Sequence, residues 1–219
     1  MTAVRAQREI LAAAVPIAIA VFVFGISFGV LAVAAHLPAW APVLMSMLVF
    51  AGSAQFAALG VIAAGGSVLA AVLAGALLNL RYVATGIASA RSLPGGRLLR
   101  ALLAQLVVDE SYVLAVTAGE AGRPDRRTLL ITGAFLYTAW VAGTLLGVTV
   151  GAVLGDPKRL GLDAAFPALF TALLWPMLRG KHAVRCAVAG ALVALALAPF
   201  TPLGIPLAGA AAVGLWLAR

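Results

Sequence analysis

An unbroken run of 44 uncharged residues, from Leu37 to Leu80, constrains the fold of this chain more than any other feature. The run is long enough for two membrane spans of about 20 residues each. Inside a bilayer the backbone must satisfy its own hydrogen bonds, so only helices and closed β-barrels cross it. Barrel strands alternate polar and apolar residues over about ten positions, and this run does not alternate. It therefore predicts membrane-spanning helices.

The rest of the chain is almost as poor in charge. Charged residues make up 10% of it and hydrophobic residues 64%, whereas about a quarter of a soluble domain is charged. Further uncharged runs cover residues 10–35, 128–155, 164–178 and 186–218. We therefore predict an all-α, polytopic integral membrane protein.

Prolines, glycines and charged clusters divide the chain into eight predicted helical segments. The segments cover residues 10–35, 41–64, 68–90, 99–119, 128–154, 162–178, 184–199 and 205–218. The last two are short and are also compatible with a hairpin of short helices, which leaves seven or eight spans open. All segments belong to one predicted transporter domain, residues 1–219.

Two stretches, about residues 10–100 and 128–200, share a pattern that suggests an internal repeat. Each begins with a helix that carries two glycines four residues apart. The pairs are Gly25 with Gly29 and Gly143 with Gly147. In each stretch the next segment is interrupted, by Gly-Ser or by proline, and interrupted helices at matching positions point to a transporter's binding site. The alternative is a chance match between sequences rich in glycine and alanine.

The cations lie mostly between the predicted segments and indicate an orientation. The chain has 15 Lys and Arg residues and a net charge of +8. With eight spans and a cytoplasmic N-terminus, nine of these cations lie inside and five outside, and Arg81 lies in the membrane. This bias follows the positive-inside rule. No basic run with interleaved aromatic residues points to nucleic acid.

The residues give no support to an enzyme. His36 and His182 lie at segment edges, so no histidine within a predicted span is available as a base for a serine nucleophile. These histidines and the single cysteine, Cys186, do not form a metal-ligand cluster, and no phosphate-binding loop is present. We predict no enzymatic activity, no metal and no cofactor.

Charges inside the hydrocarbon region are costly and mark function by default. Here they are Arg81, Asp109 and Glu110. Arg81 lies 14 residues before Gly95, which is in the turn between two segments, and Asp109 lies 14 residues after it. At about 1.5 Å per residue both reach the same depth, so we predict a buried ion pair of Arg81 with Asp109 or Glu110. Such a pair either locks two helices together or leaves one carboxylate free to carry a proton or bind a substrate ammonium group.

Uncharged polar residues near the predicted break offer further candidates. Ser53 and Gln55, beside Gly52, either bond a neighbouring helix or contact a substrate. Asn79 is expected to orient Arg81.

A second group of candidates lies in the later segments. Trp140 and Thr144 are four residues apart and therefore share a helix face. Gly143, Gly147, Gly151 and Gly155 form a stripe that predicts a close helix–helix contact in preference to a ligand groove. Asp163, four residues before Pro167, is expected to complement the dipole of its helix or to join the site.

Five stretches in order resemble the AzlC-type (YgaZ-type) branched-chain amino-acid permeases of bacteria and archaea. They are Phe50–Phe56 (FAGSAQF), Asn79–Tyr82 (NLRY), Asp109–Tyr112 (DESY), Trp140–Thr144 (WVAGT) and Gly161–Pro167 (GLDAAFP). The resemblance implies export of leucine, isoleucine, valine and, as a further candidate, methionine across the inner membrane, driven by an ion or proton gradient. It also implies a partner, a small membrane subunit of the AzlD type.

These candidates combine into a hypothesis for the site. The substrate carboxylate lies at an exposed helix N-terminus near Gly52 to Gln55, and its ammonium group faces carbonyl groups or an acid such as Asp109 or Glu110. Its side chain lies among Phe50, Phe56 and Phe166. Alternating access comes from one half rocking against the other. The rival interpretations are a transporter or channel for another small solute, and a scaffold subunit that does not transport.

Overall fold

The computed structural model describes residues 3–119, 123–154, 178, 180–201 and 205–217. Within these ranges the secondary structure is helical, with no strand, so the predicted all-α class is confirmed. The helices are α1 (Ala3–Ala34), α2 (Trp40–Leu48), α3 (Gly52–Ala63), α4 (Val68–Asn79), α5 (Arg81–Ser89), α6 (Arg97–Ala104), α7 (Asp109–Ala118), α8 (Arg126–Leu154), α9 (Lys181–Leu197) and α10 (Ile205–Leu217).

The chain divides into two compact units. The first comprises residues 1–55 and 79–153, and the second comprises residues 56–78 and 154–219. In the second unit α9 and α10 pack together as a hairpin. A Cβ added at Gly209 would lie 2.7 Å from the Leu197 side chain, so this pair of helices approaches closely at a small residue. Both helices begin near the residues predicted for the last two segments.

In the first unit the two long helices, α1 and α8, are in backbone contact. A Cβ added at Gly25 would lie 2.7 Å from the carbonyl oxygen of Trp140, and a Cβ on Gly147 would overlap the carbonyl of Ile26. Only glycine allows backbones to approach this closely. Because residue numbers rise together along both helices at these contacts, α1 and α8 run parallel.

The glycine stripe of α8 is therefore a helix–helix contact, as predicted. Gly143 faces Phe22, and Gly151 faces Val30; Gly155 lies outside the described residues. The two glycine pairs that suggested a repeat meet each other at this contact. The repeat itself stays a prediction.

Interruptions are more frequent than predicted. The break between α2 and α3, at residues 49–51, confirms the interrupted second segment. The third and fourth segments were expected to be continuous, and this was wrong: α4 and α5 are separated at Leu80, and the axis bends by 106° between α6 and α7. Neither break contains glycine or proline, the usual signals of interruption.

Among the described residues, α1 and α8 are each long and apolar enough to cross a membrane. Up to four spans result if each bent pair, α4–α5 and α6–α7, is counted as one. The number of seven or eight spans stays a prediction, and the predicted segment 162–178 lies outside the described residues, apart from its last residue.

Candidate functional site

Arg81 and Asp109 form an ion pair at the starts of two helices. Arg81 is the first residue of α5 and Asp109 the first of α7, and Nη1 of Arg81 lies 3.1 Å from Oδ2 of Asp109. The predicted pair is thus confirmed, with Asp109 and not Glu110 as the partner. Glu110 follows Asp109 on α7 and is exposed.

The expectation of a buried pair was wrong. The Arg81 and Asp109 side chains are 38% and 43% exposed in the isolated chain. The two residues come together as predicted, but both stand at helix breaks and not between two continuous helix faces. Asp109 complements the positive end of the α7 dipole, whereas Arg81 opposes that of α5. The carboxylate of Asp109 therefore offsets the unfavourable position of the Arg81 charge at the N-terminus of α5.

Arg81 also contacts the first turn of α3. Its Nη2 donates to Oγ of Ser53 at 2.9 Å and to the hydroxyl of Tyr82 at 3.1 Å. The guanidinium carbon lies 4.9 Å from the centre of the Tyr82 ring, within cation–π range. We call Ser53, Arg81, Tyr82 and Asp109 the ion-pair cluster. It joins the N-terminal ends of α3, α5 and α7.

Asn79 does not orient Arg81 in the way expected. Its Oδ1 is buried and has no hydrogen-bond partner among the described residues. The guanidinium is held instead by the other three members of the cluster.

A second polar group lies nearby on α3 and is fully buried. Nε2 of Gln55 donates to Oγ of Ser46 at 3.0 Å, and the Ser46 and Thr144 hydroxyls are 2.8 Å apart. Nε1 of Trp140 donates to Oε1 of Gln55 at 3.1 Å. We call Ser46, Gln55, Trp140 and Thr144 the buried network. It ties α2 and α3 to α8, and it confirms that Trp140 and Thr144 share a face.

The direction of each bond in the buried network follows from counting protons. The Thr144 hydroxyl donates to the carbonyl of Trp140 at 3.0 Å, so its single proton is used there. Ser46 must then donate to Thr144, and Gln55 donates to Ser46. Oε1 of Gln55 accepts a second bond, from the backbone N–H of Ala51 at 3.2 Å. Of the two roles open to Gln55, the structure shows helix-to-helix bonding.

The first turn of α3 thus presents two polar faces. Ser53 and Gln55 are two residues apart, which rotates them by about 200° around the helix. Gln55 points towards α8, and Ser53 points towards Arg81. Gly52 permits this seating, because a Cβ there would lie 3.1 Å from the Trp140 ring.

Two of the three aromatic residues expected around a substrate side chain, Phe50 and Phe56, are buried. Phe50 is buried and packs edge-on against Tyr137, with ring centres 5.2 Å apart. Phe56 is buried in the second unit. Asp163, Phe166 and Pro167 lie outside the described residues.

Two residues that the sequence analysis did not single out hold the end of α2. Nε2 of Gln105 donates to the carbonyl of Leu48 at 2.8 Å, and the Tyr137 hydroxyl donates to the carbonyl of Met47 at 3.0 Å. The available signal was Gln105 itself, an amide in an apolar stretch. Like Asn79, Arg81 and Asp109, it marks a helix break.

A cavity of about 440 Å³ lies away from the ion-pair cluster. It is lined by α1, the end of α7 and the start of α8, and Glu9, Asp125 and Arg127 are among its residues. Its α7 residue Thr117 is eight positions from Asp109, or about 12 Å along the helix. The ion pair is therefore not part of this cavity.

Comparison with known proteins gives the chain its relatives. Residues 16–154 match the family model described as AzlC protein. An uncharacterized membrane protein of Archaeoglobus fulgidus is 36% identical over 185 residues, which cover 83% of this chain and 80% of the relative. The inner membrane protein YgaZ of Escherichia coli is 32% identical, over 83% of this chain and 78% of the relative.

A more distant relative carries a functional name. The branched-chain amino acid transport protein AzlC of Bacillus subtilis is 26% identical over 157 residues, or 71% of this chain and 61% of the relative. No solved structure matches the chain.

Proposed function

The chain belongs to the AzlC protein family, whose members support a role in membrane transport, and on that premise we propose that it exports branched-chain amino acids. The substrates are leucine, isoleucine, valine and, as a further candidate, methionine. The name of the Bacillus subtilis relative supports this substrate class.

One observation carries the proposal: the ion-pair cluster holds both charges that a zwitterionic amino acid needs. Arg81 is a bidentate donor suited to a carboxylate. Asp109, with Glu110 beside it, offers carboxylate oxygens to an ammonium group. Both partners are more than a third exposed in the isolated chain, so a substrate has access to them.

In the proposed mechanism the substrate inserts into the ion pair. Its carboxylate bonds Arg81 and the hydroxyl of Ser53, and its ammonium group bonds Asp109. The exchange replaces one ion pair by two, so both Arg81 and Asp109 keep a partner of opposite charge. The N-terminal end of α3 adds a favourable dipole for the carboxylate.

Glu110 supplies a basis for coupling. Arg81 neutralises one carboxylate, and the cluster with Glu110 therefore carries one negative charge in excess. A proton or a monovalent cation that binds with the substrate removes this excess. We propose that the gradient of this ion drives export.

The assembly and its location complete the proposal. We propose a small membrane partner of the AzlD type and a multi-pass position in the inner membrane, with the N-terminus in the cytoplasm. The excess of cations in the loops predicted to be cytoplasmic supports this orientation.

Labelled-substrate efflux tests the proposal. Cells fed with dipeptides containing leucine or valine are compared with and without this chain, alone and with its small partner. Faster efflux only when both proteins are present supports a two-component exporter. No change in any strain, with both proteins detected in the membrane, refutes amino-acid export.

Asp125→Asn is the matched control for a substitution at Asp109. Asp125 also stands at a helix start, where its Oδ2 accepts from the Thr128 N–H at 2.7 Å. Asparagine caps a helix about as well as aspartate. Equal losses in Asp125→Asn and Asp109→Asn would show a general sensitivity to lost charge and would contradict a specific site.

A further inference from the structure

The C-terminal end of α2 needs hydrogen-bond donors from elsewhere. The last carbonyl groups of a helix have no partner within it, and the chain after Leu48 does not continue the helix. Phe50 in the break has φ +41°, a left-handed conformation that is strained for an aromatic residue. In a membrane, water does not satisfy such groups.

Gln105 and Tyr137 supply these donors from two other helices. Gln105 follows the last residue of α6 and donates to Leu48 O at 2.8 Å. Tyr137 of α8 donates to Met47 O at 3.0 Å, and its ring packs on Phe50. We call these two residues the helix-end clamp. It holds both the carbonyls of α2 and the strained residue that follows them.

Along the chain, the helix-end clamp and the ion-pair cluster are separated by only a few residues in two places. Ser53 is five residues after Leu48, and Asp109 is four residues after Gln105. The hydrogen bond from Gln105 to Leu48 therefore joins the chain just before Ser53 to the chain just before Asp109. Ser53 and Asp109 both contact the same guanidinium group.

We propose that Gln105 is a positioning residue for transport: it sets the separation of Ser53 and Asp109 around Arg81 by joining the α2–α3 break to the α6–α7 break. The proposal rests on the proposed function, because it assigns the substrate site to these residues. Gln105 does not touch the substrate. It acts through the backbone that carries the two groups.

The test removes and then restores the donor at position 105. Gln105→Met keeps the length of the side chain but has no N–H, and Gln105→Lys restores a donor and a positive charge favourable at a helix C-terminus. Leucine uptake into proteoliposomes that contain this chain and its small partner gives KM and Vmax, and thermal unfolding of this chain in detergent gives Tm. Thr117→Val is the control, because it removes a side-chain bond to a backbone carbonyl, from Oγ1 to Val113 O at 2.9 Å, within a helix and away from both breaks.

We expect Gln105→Met to raise KM by about tenfold, the effect of one lost hydrogen bond that leaves its partner unpaired. Gln105→Lys is expected to return KM to within about threefold of the original, since the bond is remade. Tyr137→Phe removes the second donor but keeps the ring on Phe50, and we expect a smaller rise. Thr117→Val is expected to leave KM unchanged.

Equal KM values for Gln105→Met and Gln105→Lys would overturn the proposal, and so would a fall in Tm with no change in KM. If the unaltered protein, reconstituted together with its small partner, moves no amino acid, the proposed function fails by itself. The Tm values then still decide whether the clamp exists: a Tm lowered in Gln105→Met and recovered in Gln105→Lys supports the clamp, and identical values refute it.

Discussion

The buried network and the ion-pair cluster begin on the same turn of α3 but are built in opposite ways. In the buried network the hydroxyls of Ser46 and Thr144 each donate one bond and accept one, and Gln55 accepts two bonds. In the ion-pair cluster the charged partners are more than a third exposed, and Glu110 adds a further carboxyl group beside Asp109.

The difference separates two uses of polar side chains in a membrane protein. A closed network fixes helices against each other, because any lost member leaves a buried group unpaired. In an open cluster the charged groups are accessible, so a ligand can take the place of one partner. We therefore expect substitutions in the network to lower stability first, and substitutions in the cluster to lower transport first.

The largest expected effect is that of Asp109→Asn on transport. The substitution leaves Arg81 without its counter-charge and removes the proposed charged partner of the ammonium group. A hydrogen bond to a charged group contributes about 1.5–3 kcal/mol, so we expect the rate to fall by about 10- to 100-fold. Initial efflux rates of labelled leucine, normalised to the amount of protein in the membrane, check this. Full activity of the variant would remove the cluster from the mechanism.

Next comes Gln55→Leu, which we expect to act on stability. It leaves Nε1 of Trp140 and the N–H of Ala51 as buried donors without acceptors, which costs about 2 kcal/mol or more. The midpoint of thermal unfolding is the measurement. An unchanged unfolding midpoint together with lost transport would contradict the structural role of the buried network and would indicate that Gln55 contacts the substrate.

Thr144→Val tests the far end of the same network. Valine keeps the shape of the side chain but gives the Ser46 hydroxyl no acceptor, so we expect a loss of about 1 kcal/mol. Combined with Gln55→Leu, the loss is expected to be less than additive, because both act on one network. Strict additivity, measured by a double-mutant cycle of unfolding, would show that the network is not a unit.

The smallest expected effect is that of Ser53→Ala. It removes one of several bonds to Arg81 and leaves the half-buried guanidinium with its other partners, so transport falls by about threefold with no change in the unfolding midpoint. Ser46→Ala is the matched change in the buried network, where we expect stability to fall instead. The same response in both variants would erase the distinction between the two regions.

The ion pair was predictable because its evidence is local. Arg81 and Asp109 stand at equal distances from Gly95, and charge is rare in the rest of these segments. The close contact of the glycine stripe was predictable for the same reason, but its partner was not. Nothing in the sequence indicates that Gly143 packs against α1 near Gly25, as the structure shows.

The buried network and the helix-end clamp were beyond prediction for physical reasons. Ser46 meets Thr144 across 98 residues, and a single serine in an apolar run has no distinguishing pattern. Gln105 and Tyr137 bond backbone carbonyls, which every residue possesses. The α2–α3 break was predicted from Gly52 and Ser53, but the α6–α7 break, where Gln105 lies, contains neither glycine nor proline. Its position was therefore missed, and with it the donor that reaches α2.

The parallel contact of α1 with α8 has a consequence for how the protein is made. Gly25 and Gly143 are separated by 118 positions, so a ribosome working at about 5–20 residues per second needs about 6–24 s to produce the second after the first. If α1 enters the bilayer as it is made, its glycine face stays unoccupied for that interval. A nascent chain that stalls in this interval exposes the glycine face of α1 to any other helix with small residues. The order of synthesis therefore creates a risk of mispairing that ends once α8 has packed against α1.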